Sequence, residues 1–236
     1  MSEIAFESLI KDNAYKTADK WYPTPVDTYK LSFNIDVAID NSRALISNLA
    51  YSMQYLEFLE KEFSELDVSS VIFIMLVKTY VITGMSILEG LFNNIVKSHG
   101  WWKTTNLESL GSTQSNETNF AGNNLVVKTE LLRRVDPVSL PMNLDELIKV
   151  LNHHHDALQV NHLVYPALKR LKDLRNRIHL QKAEHNTDHD YNAFDFPVKK
   201  EMGTILYQIL TSPMVTTMPQ SFEFLKINTE ESYTQT

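Results

Sequence analysis

Apolar residues recur along most of this chain at steps of three and four, the spacing that gathers side chains onto one face of an α-helix. From about Asp36 to Glu65 the set Ile46, Leu49, Met53, Leu56, Leu59 and Phe63 predicts one such helix. A second is expected to start at Ser69 or Ser70, either of which can cap it, and to run to His99 before stopping at Gly100. At 1.5 Å per residue it would be about 45 Å long and form the spine of the domain. Gly100 to Asn124 is rich in Gly, Ser, Thr and Asn and reads as a loop, with Trp101 and Trp102 tucked into the body. A short helical piece is predicted over Leu125–Val135, ending at Asp136-Pro137. Asn143 and Glu146 have capping-box spacing ahead of Leu144, Leu147, Ile148 and Leu151.

A further helix is expected from near Pro166 to about Leu180. The last begins near Pro197 and buries Val198, Met202, Ile205, Leu206 and Ile209. Residues 1–35 and 212–236 lack this periodicity and read as irregular arms. The first would pack its aromatics on the core, and Phe222 to Ile227 could add a short strand or arm. The pattern predicts a single all-α domain, an antiparallel helical bundle with its core over about 36–211.

Composition narrows the chemistry. The 236 residues are enough for one substantial core without covalent staples. Zero cysteine excludes disulfides, thiolate zinc sites, iron–sulfur clusters and a cysteine nucleophile. A formal charge of −7 opposes non-specific coating of nucleic acid but leaves room for a local basic site. The N-terminal residues lack a basic segment followed by an apolar one, so a cytoplasmic location is expected. Val71 to Val96 is the most lipid-like stretch, yet it carries Lys78, Glu89, Asn93 and Asn94. It therefore reads as a buried core helix, with no membrane partner. Asn116-Glu117-Thr118 matches a glycosylation sequon and reads as loop sequence.

Candidate chemistry concentrates in Tyr165 to Gln181. Leu168, Leu171, Leu174 and Ile178 make an apolar stripe, and Arg175 and His179, four apart, flank it on one helical face. Lys172 lies one turn earlier on the same side, and Asn176 is adjacent. Between Lys169 and Glu184 stand six basic residues (Lys169, Arg170, Lys172, Arg175, Arg177, Lys182) against two acidic ones, Asp173 and Glu184. Such an island can bind phosphate within an acidic chain. An imidazole, with an unperturbed pKa near ~6.5, can act as base toward a ribose 2′-hydroxyl. A guanidinium can grip the phosphate as its negative charge grows, and an amide can orient either group. The same pattern also fits a solvated helix face, so the residues alone leave both readings open.

No metal or cofactor is expected. His153, His154 and His155 are consecutive, and neighbours on a helix point about 100° apart. His185, Asp188, His189 and Asp190 lie in polar linker sequence, and HExxH is absent. Phosphate-binding glycine loops, a GxSxG elbow and a basic recognition helix for DNA are also missing.

LRNRIHLQ, Leu174 to Gln181, resembles the signature of HEPN domains, an Arg usually followed by Asn, Asp or His and then, a few residues on, by His. ILEGLFNNIV in the second long helix is similar to that family's pattern of Glu, three residues and Asn, here Glu89 and Asn93. Three residues separate Arg175 from His179, where the family usually has four to six. The resemblance implies a helical bundle that forms a homodimer and sets two Arg/His motifs across a shared cleft. It implies a metal-independent endoribonuclease, of the kind that serves as a toxin or phage-defence effector, with RNA as substrate and an antitoxin or regulatory partner. Arg175 would stabilise the phosphate, Asn176 orient and His179 act as acid and base. Glu89, Asn93 and Lys172 would support them, and Lys169, Arg170, Arg177 and Lys182 would bind RNA. Some members of the family are non-catalytic interaction modules, which is the alternative reading.

Overall fold

The most apolar stretch of the chain lies at the centre of the molecule. In the computed structural model, which describes residues 9–11, 20–178 and 192–226, helices α1 (Val26–Ser32) and α2 (Ser42–Glu65) precede the 29-residue α3 (Ser70–Ser98). Then follow a β-hairpin, α4 (Leu144–His153), α5 (Val164–Arg175) and α6 (Phe196–Leu210). Helices α2, α4, α5 and α6 all pack on α3, which buries Val77, Tyr80, Val81, Leu88, Phe92 and Val96 among them. Burial on so many sides explains why α3 reads as apolar nearly all round. Among the described residues it is the one helix long and apolar enough to cross a membrane, and half of its most apolar window is buried against the rest of the protein.

The predicted stripes on α2 and α6 do face this core: Leu49, Met53, Leu56 and Leu59 from one, and Met202, Ile205, Leu206 and Ile209 from the other, are 4% exposed or less. The capping box at α4 forms as its spacing requires, since the Asn143 side chain accepts from the Glu146 N–H and the Glu146 carboxylate accepts from the Asn143 N–H, both at 3.0 Å. Asp195 caps α6 by accepting from the Val198 N–H, with Pro197 in the first turn. Helix α2 begins later than predicted, at Ser42, because residues 36–41 turn and Asn41 takes a left-handed conformation (φ 64°). The N-terminal arm, expected to be irregular, contains the short helix α1, whose Tyr29 stacks on Phe222, and Phe222 lies in a 3-10 turn, Pro219–Leu225, where a short strand or arm was expected.

Gly84 marks the closest approach of α3 and α6. A Cβ there would lie 2.7 Å from Met202 Cε and 3.0 Å from Leu206 Cδ1. Gly84→Val adds that atom and two methyls to a packed seam, and we expect a loss of about 2–3 kcal/mol, read from urea unfolding. An unchanged midpoint would mean that the seam is looser than these distances imply.

The all-α expectation fails between Lys103 and Leu140. Residues read as loop and as a short helix instead form one long hairpin. Strand β1 (Thr104–Gln114) pairs antiparallel with β4 (Lys128–Ser139), and β2 (Thr118–Phe120) pairs with β3 (Asn123–Leu125) at the tip. Ala121 and Gly122, both at positive φ (50° and 81°), make the tight turn, as a primed hairpin turn requires. The fold is therefore mixed, a helical body carrying a β-arm. The segment over Leu125–Val135 has a helix-like scatter of leucines, but β-branched Val126, Val127, Thr129 and Val135 favour extended backbone, and the Thr- and Ser-rich β1 supplies a partner. Pro137 is accommodated because the ladder shifts there, from Leu107 opposite Arg134 to Thr105 opposite Val138. Among the described residues no helix packs along the arm, and nearly every residue of β1 and β4 is exposed.

Candidate functional site

Helix α5 buries Leu168, Leu171 and Leu174 against the core and turns Lys169, Arg170 and Asp173 outward, while Lys172 is buried with the leucines. It ends earlier than predicted. Arg175 is its last residue, and Asn176–Ile178 form a 3-10 turn, with the Asn176 N–H donating to the Leu174 and Lys172 carbonyls. Tightened last turns of this kind satisfy carbonyls left over at a helix end. Arg175 and His179 are therefore not carried on one continuous α-helix. His179 and Lys182 lie outside the described residues, as do His185, Asp188, His189 and Asp190.

Arg175 is reached across the bundle by Glu89 of α3, whose Oε2 accepts from the guanidinium Nη2 at 3.0 Å. The two side chains are 28% and 33% exposed, so the pair sits at an accessible edge. Arg175 Nε is buried and has no partner among the described residues. One nitrogen of the guanidinium is thus held by a carboxylate, while Nε is uncommitted among the described residues. Asn176 and Arg177 are exposed beside it. Asn93, the second half of the Glu-Asn pattern, makes no hydrogen bond to Glu89 or Arg175 among the described residues. Its neighbour Asn94 is the buried amide, accepting from the Asp36 N–H (3.2 Å) and donating to the Asp36 carbonyl (3.3 Å).

Most of the basic island is paired within the chain. Arg170 binds Glu201 of α6, and Lys172, nearly buried, binds Asp145 of α4 at 2.7 Å and Asp173 at 3.1 Å. Among the described members of the island, Lys169 and Arg177 have no ion pair, so the positive ledge predicted from charge counting is largely neutralised. The Asp145 carboxylate also takes Lys149 at 2.6 Å. Hydrogen bonds from Lys149 and then Lys172 pull its pKa down to about 2, and the Asp145 bond raises that of Lys172. A depressed carboxylate contributes stability that is complete above its unfolded pKa, about 4, and disappears as pH falls toward 2. Wild-type protein should therefore lose stability across pH 4 to 2 more steeply than Asp145→Asn, as followed by acid titration of the far-UV circular dichroism. Parallel curves would sink the assignment.

Lys169 and Lys149 line a groove of about 320 Å³ between α4 and α5, together with Asn152, His162 and Tyr165. Nearby, Trp101 stacks between His99 and His154, with centroids 4.4 and 3.9 Å away. Both tryptophans are half-buried against the core as predicted. Among the described residues no three metal-ligating side chains come together. The partners that sequence reasoning missed, Asp145 for Lys172 and Glu201 for Arg170, come from other helices. No local spacing signals them.

The chain matches no protein-family model, no curated protein and no solved structure with which it was compared.

Proposed function

We propose that this protein is a metal-independent endoribonuclease of the HEPN type, acting on RNA in the cytoplasm as a homodimer. The observation that carries the reading is the Arg175–Glu89 contact, because it joins the two motifs of the HEPN resemblance, 86 residues apart in sequence, at an accessible edge. Glu89 fixes the guanidinium through Nη2 and leaves Nη1 to meet a phosphate. In the proposed step His179 takes the proton from a ribose 2′-hydroxyl. The O2′–P bond forms, the P–O5′ bond breaks, and the departing oxygen accepts a proton. The products are a 2′,3′-cyclic phosphate and a 5′-hydroxyl. Arg175 stabilises the phosphate as charge accumulates, and Asn176 orients it. Enzymes of this chemistry serve as toxins or phage-defence effectors, and such a role requires an antitoxin or another regulator.

Internal pairing of Arg170 and Lys172 favours a second reading, a helical interaction module with no catalysis. Purified protein incubated with RNA in EDTA separates the two. Cleavage that leaves cyclic phosphate ends supports the nuclease. Intact RNA, with folded protein and bound partner, supports the module.

A further inference from the structure

The β-arm carries a self-complementary edge. In a two-stranded ribbon each strand has one unpaired side, and here the two sides differ. Strand β1 is interrupted at Leu110, where the register shifts between Ser109 and Gly111; β4 is interrupted only beyond Arg134, near Pro137, and pairs residue by residue from Lys128 to Arg134. A bulged strand bends away from pairing, and a regular one is a template for it. Along β4, Glu130, Leu132 and Arg134 share one face by alternation. Leu131 and Leu132 are 66% and 46% exposed. Arg133, on the other face, is bound by Glu108 of β1, but neither Glu130 nor Arg134 has an ion pair within the described chain.

We propose that β4 pairs antiparallel with β4 of a second copy about a two-fold axis at Leu132, giving a continuous four-stranded sheet in the order β1-β4-β4-β1. In that register residue numbers on opposite strands sum to a constant, so Glu130 of each copy faces Arg134 of the other and Leu132 faces its own equivalent. A single charge opposite its own kind would repel; these charges meet their opposites on both sides of the axis.

Two further observations favour a second copy over another partner. The segment 104–139 has three basic and four acidic side chains, which does not suit a polyanion. It also exposes nine large apolar side chains, among them Phe120, Val127 and Leu131. Of these, Leu131 and Leu132 lie within the proposed register, on a ribbon that two strands alone hold only marginally. This interface is separate from the Arg175 edge and does not depend on the nuclease reading.

The test uses the full chain. Light scattering after size exclusion is expected to give twice the 27.2 kDa of the monomer for wild type. Glu130→Arg or Arg134→Glu alone should weaken the dimer at least about tenfold, since each sets like charges face to face twice. An equimolar mixture of the two, or the double variant Glu130→Arg/Arg134→Glu, should restore it. Because the protein has no cysteine, Leu132→Cys should form one intermolecular disulfide on mild oxidation, and Thr113→Cys on β1 should not. Circular dichroism confirms that each variant retains its fold. A monomeric wild type overturns the proposal. So does a dimer indifferent to both charge reversals, which would place the interface on the helical body and leave the nuclease reading standing.

Discussion

Arg175→Ala and His179→Ala are each expected to lower the rate of RNA cleavage in EDTA by roughly 10²–10⁴-fold. Neither should change the substrate's path to the cyclic product, only its rate. Arg175→Lys keeps a positive charge beside Glu89 but loses the planar fork, so we expect an intermediate loss of about 10–10²-fold. Stability separates this from a folding defect. The Arg175–Glu89 pair is roughly a third exposed on each side, and such pairs contribute about 1 kcal/mol or less. Melting curves of Arg175→Ala should therefore lie close to wild type while its initial rate collapses. Cleavage that persists in both alanine variants would remove the nuclease assignment and leave the interaction module.

The largest effect on stability is expected at Glu60. Its Oε2 accepts from Lys199 Nζ at 2.6 Å, and the two side chains are only 18% and 12% exposed. The ammonium also lies over the rings of Phe63 (5.2 Å) and Tyr80 (5.7 Å), which fixes it at the seam between α2, α3 and α6. Tyr80 is sealed in the core, and burial, with a smaller contribution from Glu60, pushes its hydroxyl well above its ordinary pKa. Removing one member of such a pair leaves the other charge desolvated and alone. Glu60→Ala should cost about 3–5 kcal/mol in urea unfolding. The paired replacement Glu60→Leu/Lys199→Met, which removes both charges and keeps the volume, should fall within about 1–2 kcal/mol of wild type. If Glu60→Ala costs less than about 1 kcal/mol, water reaches the ammonium and the pair counts as a surface one.

Sequence periodicity located α2 and α6 because each buries one stripe, and Leu49, Met53, Leu56 and Leu59 on α2 illustrate how directly spacing becomes a face; α1, seven residues within an arm read as irregular, has too few turns to show a period. The capping box at Asn143 was equally legible, since its donors and acceptors are three residues apart. The β-arm was not. A strand exposed on both faces has no alternation of apolar and polar positions to reveal it, and the Thr- and Ser-rich β1 has the composition of a loop. The site was legible in half. Glu89 and Arg175 could be chosen from local motifs, and they do meet. Whether Lys172 was available to a phosphate depended on Asp145, a residue of another helix, and charge counting along one segment cannot see a carboxylate delivered from elsewhere. Asn93 follows from the spacing of the Glu-Asn pattern, whereas the buried role of its neighbour Asn94 at Asp36 is set by packing, which no spacing shows.

Thr104 lies opposite Ser139, and the Leu140 N–H donates to the Lys103 carbonyl at 2.9 Å. The polypeptide thus leaves the helical body and re-enters it at a single point. Whatever happens beyond that doorway, the ends of α3 and α4 are held at the same separation. An insertion, a deletion or a grafted epitope between 104 and 139 would therefore act on the arm and on whatever pairs with it, while the helices beneath keep their places.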